Sequence, residues 1–373
     1  MATYSEESHA LDEAILNTIE RWHRHGHQGL SEDEFNALAL RVFSHQLVYN
    51  LPYAQYCASQ GYSRERMPQS WHEIPAVPSA AFKEAAFATF NPAVATLVFE
   101  TSGTTQGTSG RHYMESARLY DASLQASFDR FMLPDHCKLR YMMLVPNPET
   151  NPHSSLGYMM AKVSEVRGDG ATRWYIEGER LNVDLFIADI EAAIEMDRPV
   201  CIATTAFGLV HLIDGLRERQ RYFALPTGSR VMETGGFKGR SRTVARDELY
   251  KHTAERFGAS RGVICAEYGM TELTSQYYDD VIFNRTADDR TEPRYKVAPP
   301  WLRPRVVGPD GKTLPHGTVG SLVHVDLANR SSVVAIQTED LGVQFDEGFV
   351  LMGRDSGAPL RGCSLNAEDL VLQ

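Results

Sequence analysis

The chain has 373 residues, of which 43% are hydrophobic and 23% charged, which is ordinary for a globular protein. Its 37 basic and 48 acidic residues give a net charge of −11, and this argues against nonspecific nucleic-acid binding, which needs a basic surface. One hydrophobic core rarely exceeds about 250–300 residues, so we expect two lobes or one large α/β domain.

The N-terminus and the cysteine pattern exclude several classes of protein. The first residues are acidic and lack the apolar stretch of a secretory signal. The longest mostly apolar run, residues 200–213, is too short and too polar to cross a bilayer. The five cysteines are widely separated and include no CxxC pair, which fits neither a disulfide framework nor a zinc site. We therefore expect a cytoplasmic protein with no membrane span and no zinc.

The first 78 residues are predicted to form a helical lead-in. Leu11, Ile15 and Ile19 recur at helical spacing, and the segment from Ser31 to Glu34 matches a capping box. Further on, Ser79 is expected to cap a short helix over residues 80–88.

From residue 96 onward, strand-like and helix-like segments alternate. The predicted strands cover residues 96–99, 140–145, 200–204, 229–233 and 261–266, and the predicted helices cover 116–131, 184–195, 208–219 and 243–257. This alternation favours a layered α/β fold with parallel strands. Ligands of such folds bind at the carboxyl ends of the strands.

The pattern becomes β-rich from Tyr295. The predicted strands cover residues 301–307, 320–326, 333–337 and 349–352, with turn signals between them. We expect an α/β lobe over residues 1–294 and a small, mainly antiparallel subdomain over 295–373. Residues 338–342 (TEDLG) and 353–355 (GRD) are predicted to form loops that cap the subdomain.

The most informative segment is a run of Thr, Ser and Gly over residues 99–111. It follows an apolar, β-branched stretch, and its glycines allow backbone N–H groups to turn inward while its hydroxyls add neutral donors. The spacing matches neither GxxxxGK[ST] nor GxGxxG. On composition alone the run is either a phosphate-binding loop or an ordinary polar linker.

Four motifs in order favour the first interpretation. Residues 102–107 (SGTTQG) resemble the phosphate loop of the adenylate-forming enzymes, and residues 268–272 (YGMTE) resemble their YGxTE motif. Residues 338–341 (TEDL) resemble TGDL, and 353–355 resemble the GRxD hinge. The resemblance covers the chain from about residue 70 onward.

Within that superfamily the chain is most similar to the acyl-protein synthetases of bacterial bioluminescence, which activate fatty acids in the fatty acid reductase complex. The similar segments are residues 153–159 (HSSLGYM), residues 234–240 (TGGFKGR) and a late cysteine, Cys363. The phenylacetate–coenzyme A ligases are the next most similar group.

The resemblance implies that the chain joins a carboxylic acid to the α-phosphate of ATP, with Mg²⁺, and releases pyrophosphate. It places the β- and γ-phosphates on Ser102, Gly103, Thr104, Thr105 and Gly107. Relatives carry a lysine soon after this loop, and Arg111 is expected to take its cationic role here.

The other motifs imply further nucleotide contacts. Glu272 is expected to hold Mg²⁺, and Thr271 to donate to the α-phosphate. In the same motif Tyr268, followed by Gly269, is expected to lie against adenine, and Gly235 and Gly236 let the backbone approach the purine edge. Asp340 is expected to accept both ribose hydroxyls because an ionised carboxylate is a pure acceptor, and Arg354 to reach the ribose or a phosphate.

Two further residues concern the acyl group. His153 is expected to orient the acyl carboxylate, with Gly157 leaving room for the substrate. Cys363 corresponds to the cysteine that receives the acyl group in the bioluminescence enzymes, and Arg361 is expected to lower its pKa, because a thiolate is the reactive form. The thioester is then expected to pass to an acyl reductase partner.

One departure from the family pattern leaves alternatives open. Full-length relatives carry a mobile C-terminal domain with a lysine that assists adenylation, whereas 19 residues, none of them lysine, follow Arg354 here. We expect that domain to be absent. An acyl–coenzyme A or carrier-protein ligase would not need Cys363, and a nucleotide-binding scaffold would not catalyse at all. The sequence leaves both an aliphatic and an aromatic acid open as the substrate.

Overall fold

The structure is a computed structural model that describes residues 6–26, 29–101, 109–178, 180–235, 245–282 and 294–354. Two compact units are present. Unit 1 falls within Met1–Ala126, Met270–Gln276 and Tyr295–Gln373, and unit 2 within Ser127–Gly269 and Tyr277–Arg294. The lobe boundary predicted at residues 294 and 295 stays a prediction.

Eight α-helices occur in the described ranges: α1 (Glu6–His25), α2 (Glu32–Tyr49), α3 (Leu51–Ser59), α4 (Arg118–Met132), α5 (Ser155–Arg167), α6 (Val183–Glu195), α7 (Ala206–Glu218) and α8 (Arg246–Phe257).

The strands of the same ranges are β1 (Val77–Pro78), β2 (Leu97–Glu100), β3 (Arg111–Met114), β4 (Arg140–Leu144), β5 (Arg173–Trp174), β6 (Ile176–Glu177), β7 (Arg180–Leu181), β8 (Val200–Thr205), β9 (Arg230–Thr234), β10 (Ile264–Tyr268), β11 (Tyr277–Asp279), β12 (Lys296–Val297), β13 (Leu302–Val307), β14 (Val319–Asp326), β15 (Ala335–Phe345) and β16 (Gly348–Arg354).

Unit 1 combines the N-terminal helices with a mainly antiparallel sheet. The sheet order is β13-β14-β15-β16-β12, and β1 pairs in parallel with β15. Strands β2 and β3 form a separate antiparallel pair on either side of the Thr/Ser/Gly-rich run. The predicted β-rich character after Tyr295 is confirmed, with five strands in the described residues up to 354.

The N-terminal helices begin and pack as their sequence predicts. Ser31 accepts a hydrogen bond from the Glu34 N–H at 3.2 Å, and the Glu34 carboxylate accepts from the Ser31 N–H at 2.8 Å, so the capping box is formed. Leu11, Ile15 and Ile19 are all buried on one face of α1. Such apolar burial is the main source of helix stability in a protein.

Unit 2 is a parallel sheet with helices packed on it. Strands β10, β9, β8, β4 and β5 are parallel in that order, and β11 is antiparallel to β10. All the residues of β9 and β10 are buried, as expected when both faces of a parallel sheet are covered. Residues of α6, α7 and α8 join these strands in one apolar core. The predicted α/β alternation is therefore confirmed.

Two predictions of loops are wrong. Residues 338–342 lie inside β15, and Gly353 and Arg354 end β16. The two segments pair with each other, Asp340 opposite Arg354 and Leu341 opposite Gly353, with a register irregularity between Leu341 and Gly342. The backbone N–H and C=O groups of these segments are therefore hydrogen-bonded within the sheet. The polar residues and glycines of one segment alone do not indicate this pairing.

Two helix predictions also need correction. The helix expected over residues 80–88 is a short 3₁₀ turn over Ser79–Lys83, which has no side-chain cap. Conversely, α5 begins at Ser155, where no helix is predicted. Ser154 caps it by accepting from the Gly157 N–H at 3.1 Å.

Candidate active site

In unit 2 the loop residues of the motifs follow parallel strands that end at the same edge. Thr234 pairs with Glu267, so the next residues along, Gly235 and Tyr268, are neighbours at the carboxyl ends of β9 and β10. Gly235 has a φ of +74°, which favours glycine, and, apart from its chain neighbours, no atom of the described residues lies within 4 Å of its Cβ position. The structure thus brings together two residues predicted to contact the purine.

The Tyr268 side chain is largely buried, whereas a ring that stacks on adenine needs an exposed face. Only 8% of the residue is exposed, and its ring centroid lies 5.8 Å from that of Tyr277. Gly269, which follows it, is half-buried. The predicted contact with adenine stays a prediction.

Two buried carboxylates lie directly behind this edge, and the sequence interpretation did not identify them. Glu267 accepts a hydrogen bond from the Thr234 hydroxyl. Glu233 accepts from the Tyr250 hydroxyl at 2.6 Å and lies 3.6 Å from the Arg246 guanidinium. Burial raises the pKa of Tyr250 well above its usual value, so this hydroxyl remains a donor. The sequence feature that could have identified them is an acidic residue within an otherwise apolar strand.

His153 lies at the same edge of the sheet, in the turn between β4 and α5. It is exposed and precedes Ser154, the cap residue of α5. A Cβ atom on Gly157 would lie 2.5 Å from the carbonyl oxygen of Pro146. The close approach of this backbone explains the glycine, while its proposed role in leaving room for substrate stays a prediction.

In unit 1, Thr271 and Glu272 lie in a turn that is held by buried side chains. Glu272 is only 6% exposed. The Thr271 carbonyl is 2.8 Å from Nδ1 of His112, and the Glu272 carbonyl accepts from the Asn329 side-chain amide at 2.9 Å. The backbone that carries the predicted Mg²⁺ ligand is therefore fixed on both of these carbonyls.

His112 follows the Thr/Ser/Gly-rich run and is itself 1% exposed. Burial lowers its pKa to about 4, and the bond to Thr271 opposes that shift. The ring is neutral at pH 7, so Nδ1 must carry the proton that is donated to the Thr271 carbonyl. Its Nε2 atom has no hydrogen-bond partner among the described residues.

Asp326 and Asn329 hold the residues that follow Glu272. Asp326 accepts from the N–H groups of Thr274 at 3.1 Å and Ser275 at 2.8 Å, and from the Ser275 hydroxyl at 2.8 Å. Asn329 accepts from the Thr274 N–H at 2.7 Å. The sequence interpretation missed both residues because they lie more than 50 positions from the turn that they hold.

The predicted ribose residues come together through the pairing of β15 with β16. The Arg354 Nε donates to Asp340 Oδ1 at 3.2 Å. The Asp340 side chain is 18% exposed and that of Arg354 is 63% exposed. The Asp340 N–H also donates to the Thr338 hydroxyl at 3.1 Å, which fixes the backbone beside the carboxylate.

Arg111 has a partner of its own in the β2–β3 pair. It lies opposite Glu100, and its Nε donates to the Glu100 carboxylate at 2.9 Å. Hydrogen bonding to Tyr113, followed by Glu100, raises the pKa of Arg111. To bind ATP phosphates, this exposed guanidinium would have to add them to its contacts with Glu100 and Tyr113 or give up one of those contacts.

Several predicted residues lie outside the described part of the chain: Ser102, Gly103, Thr104, Thr105, Gly107, Gly236 and Cys363. Within the described ranges, no group of three or more His, Cys, Asp or Glu side chains is arranged to hold a metal ion. A single carboxylate such as Glu272 nevertheless fits Mg²⁺, which binds one or two carboxylates together with substrate phosphates. No helix in these ranges is both long and apolar enough to span a membrane.

Comparison with protein families gave a match to the acyl-protein synthetase family LuxE over residues 21–369. Comparison with curated proteins gave no match.

Solved structures of ligases share the fold. The open conformation of 2-hydroxyisobutyryl-CoA ligase in complex with 2-HIB-AMP and CoA has a TM-score of 0.62 at 13% identity, over 90% of this chain and 73% of that one. The thioesterification state of this ligase gives 0.60 at 14% identity, over 93% and 69%. ATP-bound MatB from Rhodopseudomonas palustris gives 0.50 at 18% identity, over 72% and 50%.

At these identities the structural likeness shows the fold alone, that of adenylate-forming ligases. The family match covers most of the chain and agrees with the four motifs. The chain therefore belongs to the LuxE family of acyl-protein synthetases, ATP-dependent ligases that form acyl-adenylates.

Proposed function

We propose that the chain activates a fatty acid as acyl-AMP, with ATP and Mg²⁺, transfers the acyl group to its own Cys363 and passes it on to an acyl reductase. The main support is the placement of Glu272. Its carboxylate belongs to the family's YGxTE motif, and buried side chains fix its backbone in a turn. A preorganised charged group of this kind is what phosphate chemistry requires.

In the first step a fatty acid carboxylate oxygen attacks the α-phosphorus of ATP, and the bond to pyrophosphate breaks. Thr271 donates to the α-phosphate, and Asp340 accepts from the ribose hydroxyls, with Arg354 alongside. Tyr268, Gly269, Gly235 and Gly236 form the purine contact, and His153 orients the carboxylate. Holding the reacting atoms in line supplies much of the rate in such transfers.

Phosphate binding completes the site. Ser102, Gly103, Thr104, Thr105 and Gly107 bind the β- and γ-phosphates through hydroxyls and N–H groups, and Arg111 adds positive charge. Glu272 would hold Mg²⁺, and the bound ion would supply positive charge for the phosphate oxygens.

In the second step the Cys363 thiolate attacks the acyl carbonyl carbon, AMP leaves, and the thiol proton passes to solvent. The other four cysteines suit this step poorly. Cys57, Cys201 and Cys265 are buried, and burial raises the pKa of both Cys57 and Cys201 to about 12. Burial and the neighbouring Asp135 also raise the pKa of Cys137. Because the thiolate is the nucleophile, these shifts leave Cys363 as the best candidate.

Intact-mass measurement tests both steps together. After incubation with ATP, Mg²⁺ and a panel of straight-chain fatty acids and aromatic acids, we expect the mass to rise by one acyl group for a fatty acid. Cys363→Ser is expected to abolish the added mass, whereas Cys137→Ser, the matched control, is expected to keep it. Acylation that survives in Cys363→Ser would contradict the assignment.

Coenzyme A is the rival acyl acceptor, because 2-hydroxyisobutyryl-CoA ligase has been solved with CoA and an acyl-adenylate bound. If coenzyme A were the acceptor, Cys363→Ser would keep full turnover to acyl-CoA. A scaffold that only binds nucleotide would show neither acylation nor turnover. For the reductase step, we expect aldehyde to form from a fatty acid, ATP, Mg²⁺ and NADPH only when both the wild-type chain and the reductase are present.

A further inference from the structure

We propose that Asn329 is a positioning residue that sets the place of the Glu272 carboxylate and thereby the contribution of Mg²⁺ to ATP binding. The inference rests on the proposed role of Glu272 as the Mg²⁺ ligand. It adds a residue that no motif of the sequence indicated.

The Asn329 side chain is fully used on backbone groups. Its amide nitrogen donates to the carbonyls of Glu272 at 2.9 Å and Val333 at 3.0 Å, and its oxygen accepts from the Thr274 N–H at 2.7 Å. Since two carbonyls face one end and an N–H faces the other, only one orientation of the amide satisfies every partner. Asn329 is 1% exposed, so bulk water does not compete for these bonds.

The Asn329 contacts hold the backbone directly after the Glu272 Cα. The bond to the Glu272 carbonyl and the bond to the Thr274 N–H enclose Leu273, and Asp326 binds the next N–H at 2.8 Å. The peptide unit before Glu272 is held by the contact of His112 with the Thr271 carbonyl, so Asn329 supplies the second of the two anchors that flank the Glu272 side chain. Asp326 ends β14, and Asn329 lies in the short 3₁₀ turn after it. The end of a sheet strand thus holds the turn, and a misplacement of about 1 Å in such a site can cost about a hundredfold in rate.

Asn329→Asp tests the bond to Glu272 with almost no change of shape. The carboxylate can still accept from Thr274, but it presents an acceptor, with negative charge, to the carbonyls of Glu272 and Val333. Asn50→Asp is the matched control. Asn50 is also fully buried, donates to the Ser332 carbonyl at 3.0 Å and accepts from the Tyr53 N–H at 3.2 Å, but it makes none of the contacts to the turn.

The readout is ATP affinity, measured by calorimetry with Mg²⁺ and again with EDTA. The result is expressed as the affinity with Mg²⁺ divided by the affinity in EDTA. We expect Asn329→Asp to reduce this ratio about tenfold while affinity in EDTA changes little, the scale of one lost buried hydrogen bond. Asn50→Asp is expected to keep the wild-type ratio. A purely structural role for Asn329 would lower both affinities alike, and that result would overturn the proposal.

Glu272→Gln separates this inference from the proposed function. If Glu272→Gln lowers the ratio and Asn329→Asp does not, the positioning role is wrong and the Mg²⁺ role of Glu272 stands. If Glu272→Gln keeps the ratio, both are wrong. Should Asn329→Asp fail to fold, Asn329→Ser, which adds no charge, is compared with Asn50→Ser in the same way.

Discussion

The residues that carry the proposed chemistry differ in how far the sequence revealed them. Thr271, Glu272 and Asp340 belong to short strings that are read directly from the chain. Asn329 and His112 lie 57 and 159 positions from the backbone groups that they hold. No local pattern indicates such contacts, because they exist only after distant segments have folded together. A search for motifs therefore predicts which groups act but not which groups hold them in place.

Asp340 offers a test of nucleotide recognition at a single side chain. We expect Asp340→Asn to weaken ATP binding about tenfold, because a charged acceptor for the ribose hydroxyls is replaced by a neutral one. The same variant should discriminate less between ATP and 2′-deoxy-ATP, as measured by calorimetry.

The control for this prediction is Asp310→Asn in the turn between β13 and β14, where the exposed Asp310 accepts from the Lys312 N–H at 3.1 Å. Its ATP affinity should match wild type. Equal ATP affinities for Asp340→Asn and Asp310→Asn would argue against the ribose contact.

At the scale of elements, the periodic segments were predicted well and the short ones poorly. Strands β4, β8, β9 and β10 of unit 2 were predicted because continuous apolar runs are typical of parallel strands, whereas the two- and three-residue strands β5, β6, β7 and β11 were not. The β15–β16 pair was predicted too short, because charged residues and glycines at its ends resemble a loop unless the partner strand is known. Helix α5 was missed because its cap and first turn together contain two serines and a glycine, which are common in loops.

Helix α5 also carries a prediction about packing. Gly157→Ala would bring a methyl group to within 2.5 Å of the Pro146 carbonyl, so the first turn of α5 must move away from the end of β4. We expect a loss of about 2 kcal/mol in the free energy of unfolding, measured by urea unfolding. We also expect a higher KM for the acid, since His153 lies just before this turn.

Ala161→Gly, one turn later in α5, is the comparison for Gly157→Ala. It reduces helix propensity by about 1 kcal/mol without a clash, and it is expected to leave the KM for the acid unchanged. If both variants raise that KM equally, the position of the first turn does not control acid binding.

At the scale of the whole molecule, buried titratable groups should make stability depend on pH. Burial lowers the pKa of His45 and His112 to about 4 and that of His324 to about 3, from a usual 6.5. Below pH 6.5 these three histidines are protonated in the unfolded chain but stay neutral in the folded chain. Their contribution to stability is therefore fully present above that pH. This stability is lost as the pH falls towards 4.

Asp326 acts in the opposite direction. Burial raises its pKa to about 6, from 3.8, so the folded chain binds this proton first and gains stability as the pH falls through that window. Three histidines outweigh one aspartate, and each group contributes at most about 1.4 kcal/mol per pH unit. Acidification from about pH 6.5 to 4 is therefore expected to destabilise the protein.

Urea unfolding across this pH range measures the effect. We expect His324→Leu to flatten the dependence of unfolding free energy on pH by up to about one proton, or 1.4 kcal/mol per pH unit. An unchanged slope in this variant would mean that His324 does not remain neutral in the folded chain.

Exchange of labelled pyrophosphate into ATP tests most directly whether this chain forms acyl-adenylate with Glu272 as a catalytic residue. The account predicts exchange that requires a fatty acid and Mg²⁺, that persists in Cys363→Ser because the thiol acts only afterwards, and that falls by at least about a hundredfold in Glu272→Gln, the scale of losing one charge-stabilising group. Absence of exchange with every acid, or undiminished exchange in Glu272→Gln, would contradict it.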